Sequence, residues 1–478
     1  MADTFTLNGY DVIAGHRTWS DSSVWDKTGT GENTYPNSEY DEVYLDTKKE
    51  KLVAGNQNSD LIVDGNYTVK SLMIDLVGDG NAHYRLNFNS NKSLTVKKDL
   101  TIMPALKYFM FQLQGNSSNS LTVGGNLNLK NDNFKELKSG WVQIALGAST
   151  ETFGSIEVNG DVNVTRYDEN STFKVQLNTT SFVVDGAVNL CQNVLYNILR
   201  SNKNTATTQS YGALNGGGII ELGNSNKSFQ VELSLGSDTV DDGLWSGKFT
   251  KGEAGLTNAD SSINITKVGS NTQEFKISSA TFATNFTDAE QYAINNLKVT
   301  AGTFVYGAGE GVLSGVLRNV AGTFKVGGIA AAEEGVMDVG TVNFASGEWV
   351  GGTIALDVDM STEINDALNF NGAFNAASAN SDETASSRVL YIDFNSELMA
   401  ELIESEGSCT VENLISYDST NLTADDFVIK GVEGYDYEAV IGENGLGVII
   451  TAAVPEPADI AILIGAVALG FVAYRRRK

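Results

Sequence analysis

Histidine and cysteine, the usual ligands and bases of enzyme sites, are almost absent from this chain. His16 and His83 are the two histidines, and Cys191 and Cys409 are the two cysteines. A Ser-His-Asp triad needs a histidine base, and a zinc site usually takes several His or Cys ligands. The cysteines are too far apart for a CxxC metal motif, so we expect two isolated buried thiols. The sequence therefore predicts no metal and no cofactor.

Acidic pairs and one glycine-containing stretch are the remaining candidates for chemistry. Adjacent carboxylates occur at several places, such as Asp241-Asp242, Glu333-Glu334 and Asp425-Asp426. Neighbours on a strand point to opposite faces, so these pairs lack the arrangement that glycoside hydrolysis needs. The stretch 243–249, GLWSGKF, is one residue short of a phosphate-binding loop and ends in Phe, so we interpret it as a turn. We predict that the chain is not an enzyme; the alternative is a secreted β-helix polysaccharide lyase or hydrolase.

The charge of the chain excludes one class of partner. The 478 residues carry a formal net charge of −27. The last 24 residues contain two acids and four bases, a net charge of +2, which leaves −29 for the body. Nucleic-acid binding depends on Lys and Arg that neutralise phosphates. We therefore predict no nucleic-acid partner and interpret the acidity as a well-solvated surface.

Composition and internal repetition predict an all-β solenoid. The chain has 49 Gly but only 4 Pro, which suits many short strands joined by tight corners. Five stretches align on an apolar anchor: SDLIVDGNYTV on Leu61, KSLTVKKDLTI on Leu94, NSLTVGGNLNL on Leu121, GSIEVNGDVNV on Ile156 and TSFVVDGAVNL on Phe182. Apolar residues alternate within each stretch, which predicts two short strands around a corner. We expect the Gly-Asn and Gly-Asp pairs to supply positive φ at these corners.

A hairpin has the same local pattern, so an antiparallel sandwich is the structural alternative. Repetition at about 30 residues favours a solenoid, because stacked units bury what one unit cannot. If all 453 residues before the tail formed such coils, there would be roughly 15, and a rise of ~4.8 Å per coil would give a rod of about 70 Å. We expect fewer, because the repeat is less regular after residue 200.

The C-terminus combines a break, an apolar run and a basic tip. Pro455 and Pro457 mark the end of the folded body. The uncharged run from Ile460 to Tyr474 would form a helix of about 22 Å, short for a bilayer core of ~30 Å. A cluster of cations, Arg475, Arg476, Arg477 and Lys478, follows at once, as expected for a helix end held at cytoplasmic headgroups. A buried C-terminal helix is the alternative.

This order of features resembles the PEP-CTERM sorting signal. The residues that match are Val454, Pro455, Glu456, Pro457, the apolar run, Arg475, Arg476, Arg477 and Lys478. The resemblance implies that an exosortase-type membrane protease recognises the tail and that the apolar helix enters the inner membrane before processing. It also implies a body sorted to the cell envelope, the cell surface or the extracellular space of a bacterium. The partners then expected are exopolysaccharide or cell-envelope components.

The body resembles the autotransporter-associated β-strand repeat. The matching segments are Thr266-Lys267-Val268-Gly269 and Ala301-Gly302-Thr303-Phe304. That resemblance implies a right-handed parallel β-helix of the kind found in exported passenger domains. With the sorting signal, it predicts an exported structural protein or adhesin. The opening residues lack the basic and apolar regions of a secretory signal peptide, so we expect that the precursor begins upstream of Met1.

Four regions are predicted along the chain. Residues 1–50 form an N-terminal cap, in which Trp19 and Trp25 cover the end of the first coil, and this segment resembles the start of such passenger proteins. Residues 51–360 form the β-helix, 361–453 an irregular C-terminal β cap, and 454–478 the sorting signal. The stretch MAELIESE, 399–406, is the one short helix expected in the cap.

Overall fold

The computed structural model describes most of the chain between residues 2 and 453. The described ranges are 2–7, 16–46, 58–76, 83–104, 109–131, 141–147, 152–166, 172–192, 194–198, 207–222, 230–250, 262–276, 294–307, 309–312, 315–328, 338–359 and 364–453. These residues form short strands and one α-helix, as the composition predicts.

The strands before residue 217 are β1 (Thr4–Leu7), β2 (His16–Thr18), β3 (Trp25–Thr28), β4 (Glu42–Asp46), β5 (Asn58–Val63), β6 (Tyr67–Val69), β7 (Ser71–Leu76), β8 (His83–Phe88), β9 (Ser93–Val96), β10 (Leu100–Pro104), β11 (Phe109–Gln114), β12 (Ser120–Val123), β13 (Leu127–Asn131), β14 (Trp141–Leu146), β15 (Phe153–Val158), β16 (Val162–Arg166), β17 (Thr172–Leu177), β18 (Thr179–Leu190), β19 (Val194–Ile198) and β20 (Thr207–Gly216). The later elements are β21 (Ile219–Leu222), β22 (Gln230–Leu235), β23 (Gly243–Trp245), β24 (Lys248–Thr250), β25 (Ser262–Lys267), β26 (Thr272–Phe275), β27 (Ile294–Val299), β28 (Thr303–Tyr306), β29 (Gly309–Val312), β30 (Val316–Asn319), β31 (Thr323–Val326), β32 (Gly340–Phe344), β33 (Ser346–Trp349), β34 (Gly352–Asp359), β35 (Ile364–Asn365), β36 (Ala367–Phe370), β37 (Phe374–Ala376), β38 (Arg388–Phe394), α1 (Ser396–Glu406), β39 (Cys409–Ser416), β40 (Val428–Gly431), β41 (Tyr435–Ile441) and β42 (Gly445–Ala452).

The strands stack into three parallel ladders, as predicted for a solenoid. The first ladder is β6-β9-β12-β15-β18-β20-β22-β25-β27-β30-β33-β37. The second is β1-β4-β7-β10-β13-β16-β18-β20-β23-β26-β28-β31-β34-β38-β40. The third has two described sections, β2-β5-β8-β11-β14-β17-β19-β21-β24 and β29-β32-β36-β39. A typical coil, such as β11, β12 and β13, crosses the third, first and second ladders in that order.

The second ladder sets the length of the solenoid. Its fifteen described strands are joined by fourteen parallel pairings, so at ~4.8 Å per step the stack is about 67 Å long. The expectation of fewer coils was wrong, because the irregular later sequence still places one strand of this ladder in each coil. The stacking also extends past both predicted limits, 51 and 360, since β1 pairs with β4 and β38 pairs with β40.

Alternating residues form continuous apolar rows inside the coils. In the first ladder the anchors Leu94, Leu121, Ile156 and Phe182 lie in register and are buried. Toward the C-terminus the interior becomes a file of phenylalanine rings with neighbouring centroids 4.6–6.5 Å apart: Phe275, Phe304, Phe324, Phe344, Phe370 and Phe374. Burial of these rows is the main driving force for stacking, because one coil alone leaves its apolar side chains exposed to water.

The first of the five aligned repeats is out of phase. Leu61 lies in the third ladder and pairs with Leu86, whereas Tyr67 is the residue that pairs with Leu94. The stretch SDLIVDGNYTV turns the corner between the third and first ladders, while the other four turn the corner between the first and second. Both corners join two strands of alternating residues, so the sequence pattern does not distinguish them.

The Gly-Asn and Gly-Asp corners do not have the predicted positive φ. Gly124, Gly125, Gly160 and Gly186 are not among the left-handed glycines. Instead the coils approach closely there: a Cβ on Gly160 would lie 2.3 Å from the Oδ1 atom of Asn126. The acidic or amide side chain has its own function, since the Oδ1 atoms of Asp99, Asn126 and Asp161 each accept the backbone N–H of the next coil at 2.8 Å.

Both ends of the apolar interior are covered. At the N-terminal end the buried Trp19 stacks on Tyr67 with centroids 5.7 Å apart and packs edge-on against Trp25 at 5.2 Å, which confirms the predicted aromatic cover. At the other end β42 runs antiparallel to both β39 and β41. The predicted helix is confirmed as α1, whose N-cap Asn395 accepts the backbone N–H groups of the first turn. Cys191 and Cys409 are not joined by a disulfide.

Candidate functional site

The predicted sorting residues, Val454, Pro455, Glu456, Pro457, Arg475, Arg476, Arg477 and Lys478, lie outside the described residues. The structure does show how the body leads up to them. Strand β42 ends at Ala452, and the backbone N–H of Ala453 donates to the carbonyl of Gly434 at 3.0 Å. The residues predicted as a sorting signal therefore begin directly after a hydrogen-bonded end of the folded body. Within the described ranges there is no helix of the length and apolarity that a bilayer crossing requires.

In each described carboxylate pair that was considered for catalysis, one member accepts structural hydrogen bonds. Asp241 and Asp242 are exposed, and the Oδ1 atom of Asp242 accepts the backbone N–H of Thr272 at 2.7 Å. Asp426 accepts the backbone N–H of Thr423 at 2.7 Å and its hydroxyl at 2.8 Å. The pair at 333–334 is outside the described residues. The stretch 243–249, predicted as a turn, contains β23, a two-residue corner at 246–247 and the first residues of β24. No group of three or more His, Cys, Asp or Glu side chains suited to a metal occurs in the part of the chain that the structure describes.

A buried lysine, Lys267, explains the sequence at 266–269. The Nζ atom of Lys267 donates to the carbonyls of Val268 and Gly269, at 2.5 and 3.1 Å, and to Asn271 Oδ1 at 3.1 Å. Gly236 and Gly302 of the adjacent coils leave room for it, since a Cβ at either position would lie within 3 Å of Nζ. Burial lowers the pKa of Lys267 to about 8. Because all three donors of its ammonium group are used, we assign Lys267 to the corner and not to catalysis.

Asp366 is a second residue with a shifted pKa, and it also has a structural function. Its carboxylate is buried and accepts the backbone N–H groups of Gly340 and Asp357, both at 2.7 Å. Burial raises the pKa of Asp366 to about 8, and the nearby Asp357 carboxylate adds to this effect. The Nζ atom of Lys325 donates to Asp357 at 2.6 Å. Side chains with shifted pKa values often lie in functional sites. Here the contacts of Asp366 and Asp357 connect one coil to the next, so we assign them a structural function.

The outer face of the second ladder carries a file of asparagines. The amides of Asn128, Asn163, Asn189 and Asn215 occupy the same register position in consecutive coils. Each side-chain N–H donates to the carbonyl oxygen of the preceding asparagine, at 3.1, 2.9 and 3.0 Å. The file ends where Asn215 Oδ1 accepts the backbone N–H of Leu244 at 2.8 Å. This half-buried row gives the solenoid a polar exterior and links its coils.

The outer face of the first ladder carries hydroxyl groups and then cations. In register along the axis are Ser210, Ser234, Thr266, Lys298 and Arg318. All five are half-buried. We call this row the outer track. It presents hydroxyl donors and acceptors at steps of about 4.8 Å and then two adjacent positive charges, after which Glu348 is next in register.

An acidic side chain from a distant loop covers those two charges. Residues 377–387 connect β37 to β38, and we call them the strap. Its Glu383 carboxylate accepts from Arg318 Nε at 2.9 Å and Nη2 at 2.5 Å, from Lys298 Nζ at 2.7 Å and from the backbone N–H of Asn380 at 2.9 Å. Arg318 also pairs with Glu348. The Glu383 side chain is 1% exposed, and the Arg318 guanidinium holds its pKa well below the usual range.

Sequence reasoning missed this cluster. The alternating pattern predicts that Lys298 and Arg318 face outward, but Glu383 lies 65 positions after Arg318. The only signal was the polar stretch between two strand-like runs, which marks a loop without indicating where it folds. Comparison with known proteins adds no relative: no family model matches the chain, and no curated protein matches it.

Proposed function

We propose that this chain is an exported structural protein or adhesin of the bacterial envelope, sorted through residues 454–478 by an exosortase-type membrane protease. The body functions as a spacer or contact surface without catalysis. Its partners are exopolysaccharide or other cell-envelope components. Before processing, the apolar segment 460–474 is a helix in the inner membrane; afterwards the body lies at the cell surface or in the extracellular matrix.

The observation that carries this proposal is the direct junction between solenoid and signal. The hydrogen-bonded end of the body, at Ala453, is followed by Val-Pro-Glu-Pro, an uncharged run and four cations. The Pro-x-Pro break and the basic tip suit a membrane-inserted segment better than a further layer of the solenoid. The long parallel stack supports a structural function, because it builds length from repeated coils.

We further propose that the coils wind right-handed. A strand that crosses over to a parallel neighbour in the same sheet does so with right-handed connection in about 98% of cases, because of the intrinsic twist of strands. The same winding is implied by the resemblance to passenger-domain repeats. An experimental density map at side-chain resolution tests this hand directly.

The sorting hypothesis is tested by mass spectrometry of the mature C-terminus. The chain is expressed with a secretory leader in a bacterium that has an exosortase, and the body is recovered from envelope and medium. We expect loss of the apolar run and of Arg475 to Lys478. A Pro455→Ala/Pro457→Ala variant should retain them and stay in the membrane, whereas Asp459→Asn, a change outside the motif, should be processed normally. An intact basic tip on the recovered wild-type body would contradict processing.

A further inference from the structure

We propose that Lys298 and Arg318 form a binding site for the carboxylates of an acidic polysaccharide, and that Glu383 of the strap occupies this site within the same chain. The choice of a sugar polymer rests on the proposed function, in which exopolysaccharide is the partner. The site itself rests on the contacts of Glu383, which are independent of how the chain is sorted.

The Glu383 carboxylate is held in the way a carboxylate ligand would be. Arg318 donates to both of its oxygens, and Lys298 adds a third charged donor at 2.7 Å. A guanidinium that binds both oxygens selects the planar shape of the group, and a lysine adds charge with little geometric demand. With Glu348 also paired to Arg318, the cluster of Lys298, Arg318 and Glu348 keeps a net charge of about +1 once Glu383 is removed. A uronate carboxylate fits both this geometry and this charge.

The strap is held to the solenoid by polar contacts. Residues 378–382 and 384–387 are exposed, and no large apolar side chain occurs between 377 and 387. Besides the contacts of Glu383, Ser386 Oγ accepts the backbone N–H of Gly352 at 2.9 Å, and the backbone N–H of Ser386 donates to the Val320 carbonyl at 3.3 Å. The carbonyl of Ser378 accepts from Arg318 Nη2 at 3.1 Å, and Ala377 bonds to the Trp349 carbonyl at 3.1 Å and to Arg388 at 2.9 Å. Opening the strap therefore breaks polar contacts and moves no large apolar side chain of its own.

The surroundings of the site favour a sugar chain. The outer track leads to Lys298 through the hydroxyl groups of Ser234 and Thr266. Beside it, Asn296 donates to Asn264 Oδ1 at 3.1 Å, which adds amides to the same face. Hydroxyl and amide groups bind sugar hydroxyls, while the cations bind the carboxylate. A polymer with one carboxylate per sugar matches both parts of this surface.

A ligand carboxylate must displace Glu383 from Lys298 and Arg318, and this competition favours a polymer over a single sugar. A tethered group has an effective concentration on the order of millimolar. A single uronic acid must therefore reach that concentration to displace Glu383. A polymer does so at far lower concentration, because each chain offers many carboxylates to the same site.

The test measures binding of the purified full chain, in detergent micelles, to polygalacturonate, with dextran as the uncharged polymer. We expect Glu383→Gln to bind polygalacturonate at least tenfold more tightly than the wild type, and Asp382→Asn, the same charge change at an exposed neighbour, to stay within twofold. Adding Arg318→Met to Glu383→Gln should remove the gain. The basic tip of the tail is identical in all variants, so its contribution cancels.

A second variant separates loss of charge from opening of the strap. Ser386→Ala loosens the strap at Gly352 and leaves every charge in place, so it should also increase affinity. The proposal is overturned if Glu383→Gln and Asp382→Asn bind polygalacturonate alike, if the gain survives Arg318→Met, or if Glu383→Gln increases binding of dextran as much as binding of polygalacturonate. Such a failure would leave the sorting hypothesis standing, because that is read from the mass of the C-terminus.

Discussion

Gln273 bridges two coils that are not neighbours, and its replacement gives the sharpest test of the solenoid packing. Its side-chain oxygen accepts the backbone N–H of Leu214 at 2.9 Å, and its side-chain nitrogen donates to the Leu214 carbonyl at 2.9 Å. The intervening strand β23 pairs with β20 only at Gly216 and Trp245. The amide of Gln273 thus replaces the backbone partners that β23 does not supply to Leu214.

The magnitude follows from the two backbone groups that lose their partners. Gln273 and Leu214 are both fully buried. Gln273→Leu keeps the size of the side chain but leaves one N–H and one C=O without a partner, at about 1–3 kcal/mol each. We therefore expect a cost of about 2–6 kcal/mol. In a stack of repeats such a loss acts locally, so it should appear first in the coils around β20.

Hydrogen exchange of the Leu214 amide is the direct assay. In Gln273→Leu this amide should exchange at least tenfold faster than in the wild type, since a factor of ten corresponds to about 1.4 kcal/mol. Gln209→Leu is the matched control. Gln209 is equally buried, but its amide contacts only the side chains of Thr207 and Tyr211. Its replacement should leave the Leu214 amide protected.

A second variant, Gln273→Glu, tests the same hydrogen bonds through the pH dependence of Leu214 exchange. Gln273→Glu has no donor for the Leu214 carbonyl when ionised, but its protonated acid has one donor and one acceptor. Protection of Leu214 should therefore be low at pH 8 and recover as the pH falls toward 5. Unchanged Leu214 exchange in Gln273→Leu, or a Glu variant without pH dependence, would refute the bridging function that we assign to Gln273.

Three further predictions concern contacts between coils. Because the pKa of Asp366 is raised to about 8, the folded chain holds this proton more tightly than the unfolded chain, so its stability should fall as the pH rises from about 4 through 8. The difference between the denaturant midpoints at pH 5 and pH 8 should be smaller in Asp366→Asn than in the wild type. An equal difference in the two proteins would contradict this function of Asp366. Asn163→Ala removes two hydrogen bonds of the asparagine file and should cost about 1–2 kcal/mol by denaturant unfolding, whereas the exposed Thr165→Ala on the same strand should be neutral. Gly160→Ala should lower the melting temperature because its Cβ meets Asn126. Gly217→Ala should be tolerated, because a Cβ there would meet the flexible Gln192 side chain at 3.1 Å and Ser246 Oγ at 3.4 Å; equal effects would show that close approach is not the reason for Gly160.

The sequence predicts the parts of the fold that depend on the alternation of apolar residues or on residues close together in the chain. Alternation of Leu121 and Val123 with polar residues predicts inward rows, and the structure confirms them. The helix predicted at 399–406 lies within α1, which begins three residues earlier, after the N-cap Asn395, and ends at the left-handed Gly407. Corner register is not predicted by the same pattern, since Leu61 and Tyr67 stand in equivalent local sequences but in different ladders.

The candidate site lies beyond prediction for a geometric reason. In a solenoid, contact between coils joins residues about 26–35 positions apart when the coils are adjacent, as along the asparagine file. The contacts that give this chain its individual features join residues 59 and 65 positions apart, at Gln273–Leu214 and Arg318–Glu383. Each depends on an irregularity: a short strand pairing in the first case, a loop that folds back over its own sheet in the second. A repeat pattern in the sequence shows only what successive coils have in common. Contacts between coils that are not adjacent can therefore be identified only from the stacked structure.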